Sequence, residues 1–174
     1  MTFAHVTRGG LYYRVCDPTW ANPADTSYAK RHGGRWNPPG EFGALYLNRT
    51  VDVAAANARR SLYQQFGDAI TFDDLQPSML PYLLHVAVDE HAFVDACSDR
   101  GLEALHLPAS YPTGCEHDVC QTIGRAAKDA GEAGVAARSA ARPNGEELAI
   151  FDSHLHLHHP GTREPFERWY LGLA

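Results

Sequence analysis

Residues 33–40, Gly-Gly-Arg-Trp-Asn-Pro-Pro-Gly, constrain the local fold more than any other stretch of this 174-residue chain. Two adjacent glycines allow the backbone to turn tightly and to approach a ligand closely. Arg35 adds a permanently charged guanidinium whose fork geometry suits phosphate, and Trp36 adds a flat apolar surface. Residues 44–47, Ala-Leu-Tyr-Leu, are typical of a strand. The run predicts a tight turn before a strand, either as a packed turn alone or as part of an anion-binding site.

The segments on either side of this turn have regular patterns. Residues 11–16, Leu-Tyr-Tyr-Arg-Val-Cys, predict a short strand with Arg14 in the middle of an apolar run. An arginine in that setting is rarely buried without an anion, so Arg14 is either a phosphate ligand or half of a structural ion pair. Downstream, Thr50 is placed to cap a helix over residues 51–65.

The later part of the chain gives weaker indications. Residues 81–88 predict a central strand, and residues 120–131 predict a helix. Residues 152–159 alternate histidine with leucine, as a half-exposed strand does. The aromatic-rich residues 166–171 are expected to complete a sheet or to cover a core. Residues 17–34 form a connection that is long for a passive turn, and long loops are often functional; in it, Trp20 and Tyr28 are candidates for stacking on a ligand ring, or for sealing the loop onto the domain.

The composition predicts one soluble domain over residues 1–174. A hydrophobic content of 44% with 10% aromatic residues excludes wholesale disorder. A formal net charge of −6 argues against direct nucleic-acid binding, although it permits a small anion held by a few arginines. The chain shows neither an apolar run long enough to span a membrane nor a signal-peptide pattern, so a cytoplasmic protein is expected.

The cysteines and histidines raise the question of a metal site. Cys115 and Cys120 have four residues between them, which is not the short spacing of a zinc knuckle. The histidines of residues 154–159 are explained as well by an exposed strand as by a ligand set. We therefore expect free thiols and no metal.

Taken in order along the chain, these motifs resemble the RES domain family, the toxin half of a bacterial toxin–antitoxin system. The resemblance covers about residues 11–152 and rests on Tyr13-Arg14, the Gly-Gly-Arg-Trp-Asn turn, the strand with Tyr46, the alanine-rich helix and a serine-containing strand end over residues 134–142. It implies an α+β fold related to ADP-ribosyltransferases: a single compact domain with a mixed central β-sheet flanked by helices.

The resemblance also implies an activity. RES enzymes cleave the nicotinamide–ribose bond of NAD by hydrolysis, by phosphorolysis or by ADP-ribosyl transfer to a protein, with NAD as the substrate. On this sequence the resemblance assigns Arg14 and Arg35 to the pyrophosphate and places Tyr46 at the nicotinamide–ribose end. Trp36, whose flat surface suits packing under a ring, is a further candidate for contact with NAD. It assigns Ser139 to the reacting sugar. A cognate antitoxin that plugs the cleft, and further self-association, are implied as well.

One position departs from the family pattern. The helix after the Tyr46 strand carries Asn57 where the family has a glutamate. A carboxylate can stabilise the cationic ribose that forms as nicotinamide leaves, whereas an amide has no charge and cannot act as a base. Asn57 is then expected to hydrogen-bond the ribose. Another carboxylate, with Glu41 and Glu147 as candidates, substitutes, or the activity is weak.

A different function is the alternative. In that case Asn57 marks a catalytically altered protein, which serves as a nucleotide-binding or regulatory module. A third hypothesis is an enzyme acting on another ribosylated or phosphorylated metabolite.

Overall fold

The computed structural model describes residues 2–67 and 70–170. Six strands form one mixed sheet in the order β1-β2-β5-β4-β3-β6. Their bounds are β1 His5–Cys16, β2 Ala44–Asn48, β3 Tyr82–Ala96, β4 Gly134–Arg138, β5 Glu146–Phe151 and β6 His158–Glu164. Because β1 also pairs with β3, the first five strands of that order close into a ring. Only the β3–β4 pairing is parallel among the described strands.

Five helices surround the sheet in the described part of the chain. They are α1 Ser27–His32, α2 Val51–Phe66, α3 Asp99–Ala104, α4 His117–Asp129 and α5 Phe166–Trp169. Short 3₁₀ turns occur at Phe72–Asp74, Pro77–Met79 and Asp152–Leu157. The predicted cap of α2 is confirmed, because the Thr50 hydroxyl accepts a hydrogen bond from the Val53 N–H.

The core has three clusters. One lies inside the ring and includes Tyr12, Leu45, Leu84 and Ile150. A second packs α4 and the residue 33–40 turn onto the other side of β2, β4 and β5. A third lies beneath α2 and α5. The expected mixed sheet flanked by helices is therefore confirmed, and the ring holds its central strands rigidly at one register.

Gly124 explains how closely α4 approaches the residue 33–40 turn. A Cβ on Gly124 would overlap the backbone carbonyl of Trp36, so only glycine lets the helix lie at this distance. The Gln121 amide then donates to the Gly34 carbonyl at 2.8 Å. The sequence predicts this helix over residues 120–131 with His117 in its first turn, and α4 extends from His117 to Asp129.

The strand predicted over residues 152–159 is wrong in its first part. Residues Asp152–Leu157 form a 3₁₀ turn, kinked at His154, and β6 begins at His158. Asp152 is fixed by tertiary contacts: its N–H donates to the Gly43 carbonyl, and its carboxylate accepts from the Gly43 N–H and from Lys128. These contacts turn the chain at a point where the alternation of the sequence suggested extension.

Other predicted segments are confirmed with changed bounds. The strand over residues 81–88 is the first half of β3, which continues to Ala96. The long connection over residues 17–34 contains α1. Near the end of the chain, Phe166 and Trp169 are buried, so this segment covers a core, and Leu171 lies outside the described residues. Across residues 2–67 and 70–170, no helix has the length and apolar character needed to cross a membrane.

Candidate active site

The residue 33–40 turn is fixed by polar contacts to Tyr46. The Tyr46 hydroxyl accepts a hydrogen bond from the Trp36 N–H at 2.9 Å and donates to the Asn37 side-chain oxygen at 2.8 Å. The Asn37 amide donates to the carbonyls of Ala29 and Phe42. A Cβ on Gly34 would collide with the Tyr46 hydroxyl, which explains the second glycine of the motif. Burial raises the pKa of Tyr46 well above its ordinary value, so this phenol stays protonated.

The turn places Arg35 in the wall of a cavity of about 380 Å³. The other lining residues are Arg60, residues 112–117 and Ala140. The Arg35 Nη1 atom is buried and has no hydrogen-bond partner among the described residues. A buried charged donor without a partner is costly. Arg35 therefore gives this wall a positive charge that no acidic partner of the described residues neutralises.

Two further features make this cavity electropositive. Arg60, on α2, donates to the Ala140 carbonyl at 2.8 Å and keeps its charge at the wall. The first residue of α4, His117, also lines the cavity, so the positive end of the helix dipole is directed towards it. Desolvation lowers the pKa of His117, and the charges of Arg35 and Arg60 lower it further. His117 is therefore a neutral imidazole at neutral pH.

A second polar contact, between Asn57 and Glu147, lies outside the residues that line this cavity. The Asn57 amide donates to Glu147 Oε1 at 2.8 Å and to the Asn48 side-chain oxygen at 2.8 Å. Glu147 is opposite Asn48 in the β2–β5 pairing, so its side chain shares the sheet face of Tyr46, two residues before Asn48 on β2. The other candidate carboxylate, Glu41, is exposed and pairs with Arg125 at 2.7 Å. Of the two candidates, the structure brings Glu147 to Asn57.

Arg14 lies at a different place, in the gap between β1 and β2. The two strands share a single described residue pair, Tyr13 with Asn48, and separate beyond it. Arg14 Nη1 donates across this gap to the Tyr46 carbonyl at 3.3 Å, and its Nε atom is buried without a partner in the described structure. The Trp20 ring covers the guanidinium at 5.4 Å. The structure therefore separates Arg14 from the cavity that holds Arg35.

The RES domain model matches residues 11–168 of this chain. The chain belongs to the RES domain family. The matched segment begins in β1 and ends in α5, so it includes every element that carries the site described above.

Individual relatives extend this RES assignment. The chain is 31% identical over 100 residues to proteins named NAD(+) phosphorylase MbcT from Mycobacterium bovis and Mycobacterium tuberculosis, and this match covers 57% of the chain and 51% of each relative. The matched segment thus spans about half the length of these relatives. A crystal structure of the M. tuberculosis MbcT–MbcA toxin–antitoxin complex superposes with a TM-score of 0.74 at 23% identity, over 92% of this chain and 83% of the solved one. This likeness confirms the fold.

Two residues expected in the RES site are buried and make structural contacts. Trp36 is only 2% exposed, and its ring packs 6.0 Å from that of Tyr111 in the core beneath α4. Ser139, just after β4, is buried, and its hydroxyl accepts hydrogen bonds from the N–H groups of Ala141 and Arg142. Their chain neighbours Arg35 and Ala140 line the cavity. The expected contacts of Trp36 and Ser139 with NAD remain predictions.

The aromatic residues of the first connection differ in their surroundings. Trp20 covers Arg14 but keeps 43% of its surface exposed, so it seals the gap only partly. Tyr28 is 67% exposed and lies against His32 within α1.

Sequence reasoning missed several residues of the RES cavity. From the sequence alone, Arg60 is indistinguishable from a solvated residue of a helix, and residues 112–117 are indistinguishable from a surface connection. The signal that identifies them is the helix N-terminus at His117 preceded by Gly114, which adopts a positive φ of 72°. Only the fold brings Arg60 of α2 and the start of α4 to one cavity.

Proposed function

We propose that this RES domain binds NAD at the Arg35 cavity and cleaves its nicotinamide–ribose bond. The observation that carries the proposal is the buried, unpartnered Nη1 of Arg35 in a wall that also contains Arg60 and the first turn of α4. A pyrophosphate supplies the negative charge and the acceptor oxygens that this wall lacks. The name of the matched relatives, NAD(+) phosphorylase, supports NAD as the substrate.

The chemistry follows from the charges. When the bond between nicotinamide and C1″ of its ribose breaks, the electron pair of this bond leaves with nicotinamide, and positive charge develops on the ribose. Arginines that hold the pyrophosphate fix the rest of the molecule, so the ribose meets its acceptor in one orientation. A nearby carboxylate lowers the energy of the cation. An oxygen of the acceptor then forms the new bond to C1″ of the same ribose.

The acceptor distinguishes three outcomes. Inorganic phosphate gives ADP-ribose 1″-phosphate, water gives ADP-ribose and a proton, and a protein side chain gives an ADP-ribosylated protein. We propose that inorganic phosphate is the acceptor, because the matched relatives are named NAD(+) phosphorylase. Such an enzyme consumes NAD in the bacterial cytoplasm.

Arg14 is proposed as a second contact of the nucleotide. Its Nε atom is buried and unpartnered in the described structure, and Trp20 is the group that covers it. A ligand phosphate that reaches the β1–β2 gap would replace Trp20 as the neighbour of the guanidinium. The connection over residues 17–34 would then have to rearrange when the ligand binds.

A cognate antitoxin is proposed as the protein partner. The support is that the structural relative was solved with its antitoxin. Co-purification of this chain with the product of a neighbouring gene, and loss of NAD cleavage in that complex, is the expected result. A chain that purifies alone, as a monomer or as a homo-oligomer, from cells that express both genes would contradict it.

The proposed activity is tested by incubating the purified protein with NAD, with and without phosphate, and separating the products by chromatography. We expect nicotinamide and ADP-ribose 1″-phosphate with phosphate, and little release of either nicotinamide or ADP-ribose without it. A thermal shift with NAD but no nicotinamide would instead support the second candidate, a nucleotide-binding module, which the presence of Asn57 at the family's glutamate position favours.

A further inference from the structure

We propose that Glu147 is the carboxylate that stabilises the ribose cation in this protein, and that Asn57 positions it. The inference rests on the proposed NAD cleavage and names the residue that supplies the negative charge. It begins from one contact, the 2.8 Å hydrogen bond from the Asn57 amide to Glu147 Oε1.

Glu147 has an unneutralised charge. Within the described residues it forms no ion pair, whereas nearby carboxylates do: Glu146 pairs with Arg8 at 2.7 Å, and Glu41 pairs with Arg125. The Asn57 amide orients Glu147 without cancelling its charge. Its second oxygen, Oε2, makes no hydrogen bond to any residue that the structure describes, so it remains available to a ribose hydroxyl or to the developing cation.

The position of Glu147 is rigid. It lies on β5, which is paired on both sides: Glu147 is opposite Asn48 of β2 on one side and opposite Ala137 of β4 on the other. A group held in this way keeps its orientation without a reorganisation cost in the transition state.

Asn57 links Glu147 to the helix that reaches the cavity. On α2, Arg60 follows Asn57 by one helical turn and lines the cavity. Glu147 and Arg35 also influence the same two buried phenols: the carboxylate raises the pKa of Tyr46 and Tyr111, and the guanidinium lowers it, while burial is the largest influence on each. The helix that positions Glu147 thus also contributes to the wall that is proposed to hold the pyrophosphate.

The contact also explains why an amide at residue 57 suits this protein. A carboxylate there would meet Glu147 at hydrogen-bond distance, and two like charges so close cannot both remain ionised. One of them would take up a proton. A carboxylate and an amide form a complementary pair, in which one group carries the charge and the other orients it.

The test compares wild type with Glu147→Gln, which keeps the size of the side chain and removes its charge. We expect kcat for nicotinamide release to fall about 100-fold, while the NAD-induced thermal shift and KM stay close to wild type. The matched control is Glu103→Gln, which removes an exposed carboxylate on α3 that does not line the cavity, and is expected to leave kcat unchanged.

A positional exchange separates the charge from a structural effect. The double variant Asn57→Glu/Glu147→Gln keeps one carboxylate and one amide at the same contact. We expect it to recover at least about tenfold of the loss in Glu147→Gln, and Asn57→Glu alone to remain below wild type because of the like charges. Failure of the exchange to recover activity in a folded, NAD-binding protein would overturn the inference.

The remaining outcomes are distinct. An active wild type with an equally active Glu147→Gln overturns the role of Glu147 alone. A Glu147→Gln variant whose loss is entirely in KM, or matches that of Glu103→Gln, does the same. A wild type that binds NAD and releases no nicotinamide overturns the proposed function and this inference together.

Discussion

Arg35 is the residue on which the ligand site depends most. Its Nη1 atom is buried without a partner in the described structure, although the Trp36 N–H donates to the Tyr46 hydroxyl and so fixes the backbone that follows Arg35. The arrangement stores an unfavourable desolvation cost that a bound anion relieves. The residue is thus arranged for a ligand rather than for the stability of the unliganded fold.

Replacement of Arg35 by alanine is predicted to weaken NAD binding by about 10- to 100-fold, the usual effect of losing a charge-assisted hydrogen bond. Calorimetric titration measures the change. Arg125→Ala is the control, because Arg125 pairs with Glu41 at the surface and should leave affinity as it is. Unchanged NAD affinity in Arg35→Ala would place the nucleotide elsewhere.

Tyr46 is predicted to matter for stability through its hydroxyl. Phenylalanine at this position leaves the buried Trp36 N–H and the Asn37 side-chain oxygen without their partner, at a cost of about 1–3 kcal/mol in the free energy of unfolding. Urea denaturation measures the loss. Tyr28→Phe, at an exposed tyrosine, should change little. Equal stability of the two variants would mean that the Tyr46 contacts do not hold the turn.

At the scale of elements, α4 couples the cavity to pH. The pKa of His117, at its first residue, is lowered in the folded protein by desolvation and by Arg35 and Arg60. The unfolded chain therefore binds more protons as the pH falls through the ordinary histidine range, and folding stability is lost with it. The pKa values of His154 and His158 are lowered too, so they act in the same direction.

The free energy of unfolding is predicted to decrease from about pH 7.5 to about pH 5.5. Carboxyl groups with lowered pKa, such as Asp95 and Asp152, titrate below this window and do not contribute. Urea denaturation at both pH values should show a smaller decrease for His117→Gln than for wild type. An equal decrease in both proteins would contradict the account of His117.

The elements of this fold differ in how far the sequence predicts them. β1, β2, the first half of β3 and α2 follow from local patterns, because the apolar side chains that form each pattern are buried in the core. Residues 152–157 do not, since contacts between Asp152, Gly43 and Lys128 decide their conformation. Arg35 is predictable from its turn. The pairing of Asn57 with Glu147 is not, because 90 residues separate them.

At the scale of the whole molecule, charge is concentrated rather than spread. The chain carries a net charge of −6, yet Arg35, Arg60 and the start of α4 make one cavity positive. The ring of strands holds Glu147 against Asn57 of α2, and α2 and α4 each contribute residues to the cavity wall. An otherwise acidic protein thus has one positive site, which suits the anionic dinucleotide that we propose as its ligand.

The most direct test of this account is the release of nicotinamide from NAD by the purified wild-type protein in phosphate buffer, followed by proton and phosphorus NMR. The account predicts that nicotinamide and ADP-ribose 1″-phosphate appear in equal amounts, and that Arg35→Ala slows both. Intact NAD after prolonged incubation with folded protein that binds it would contradict the account.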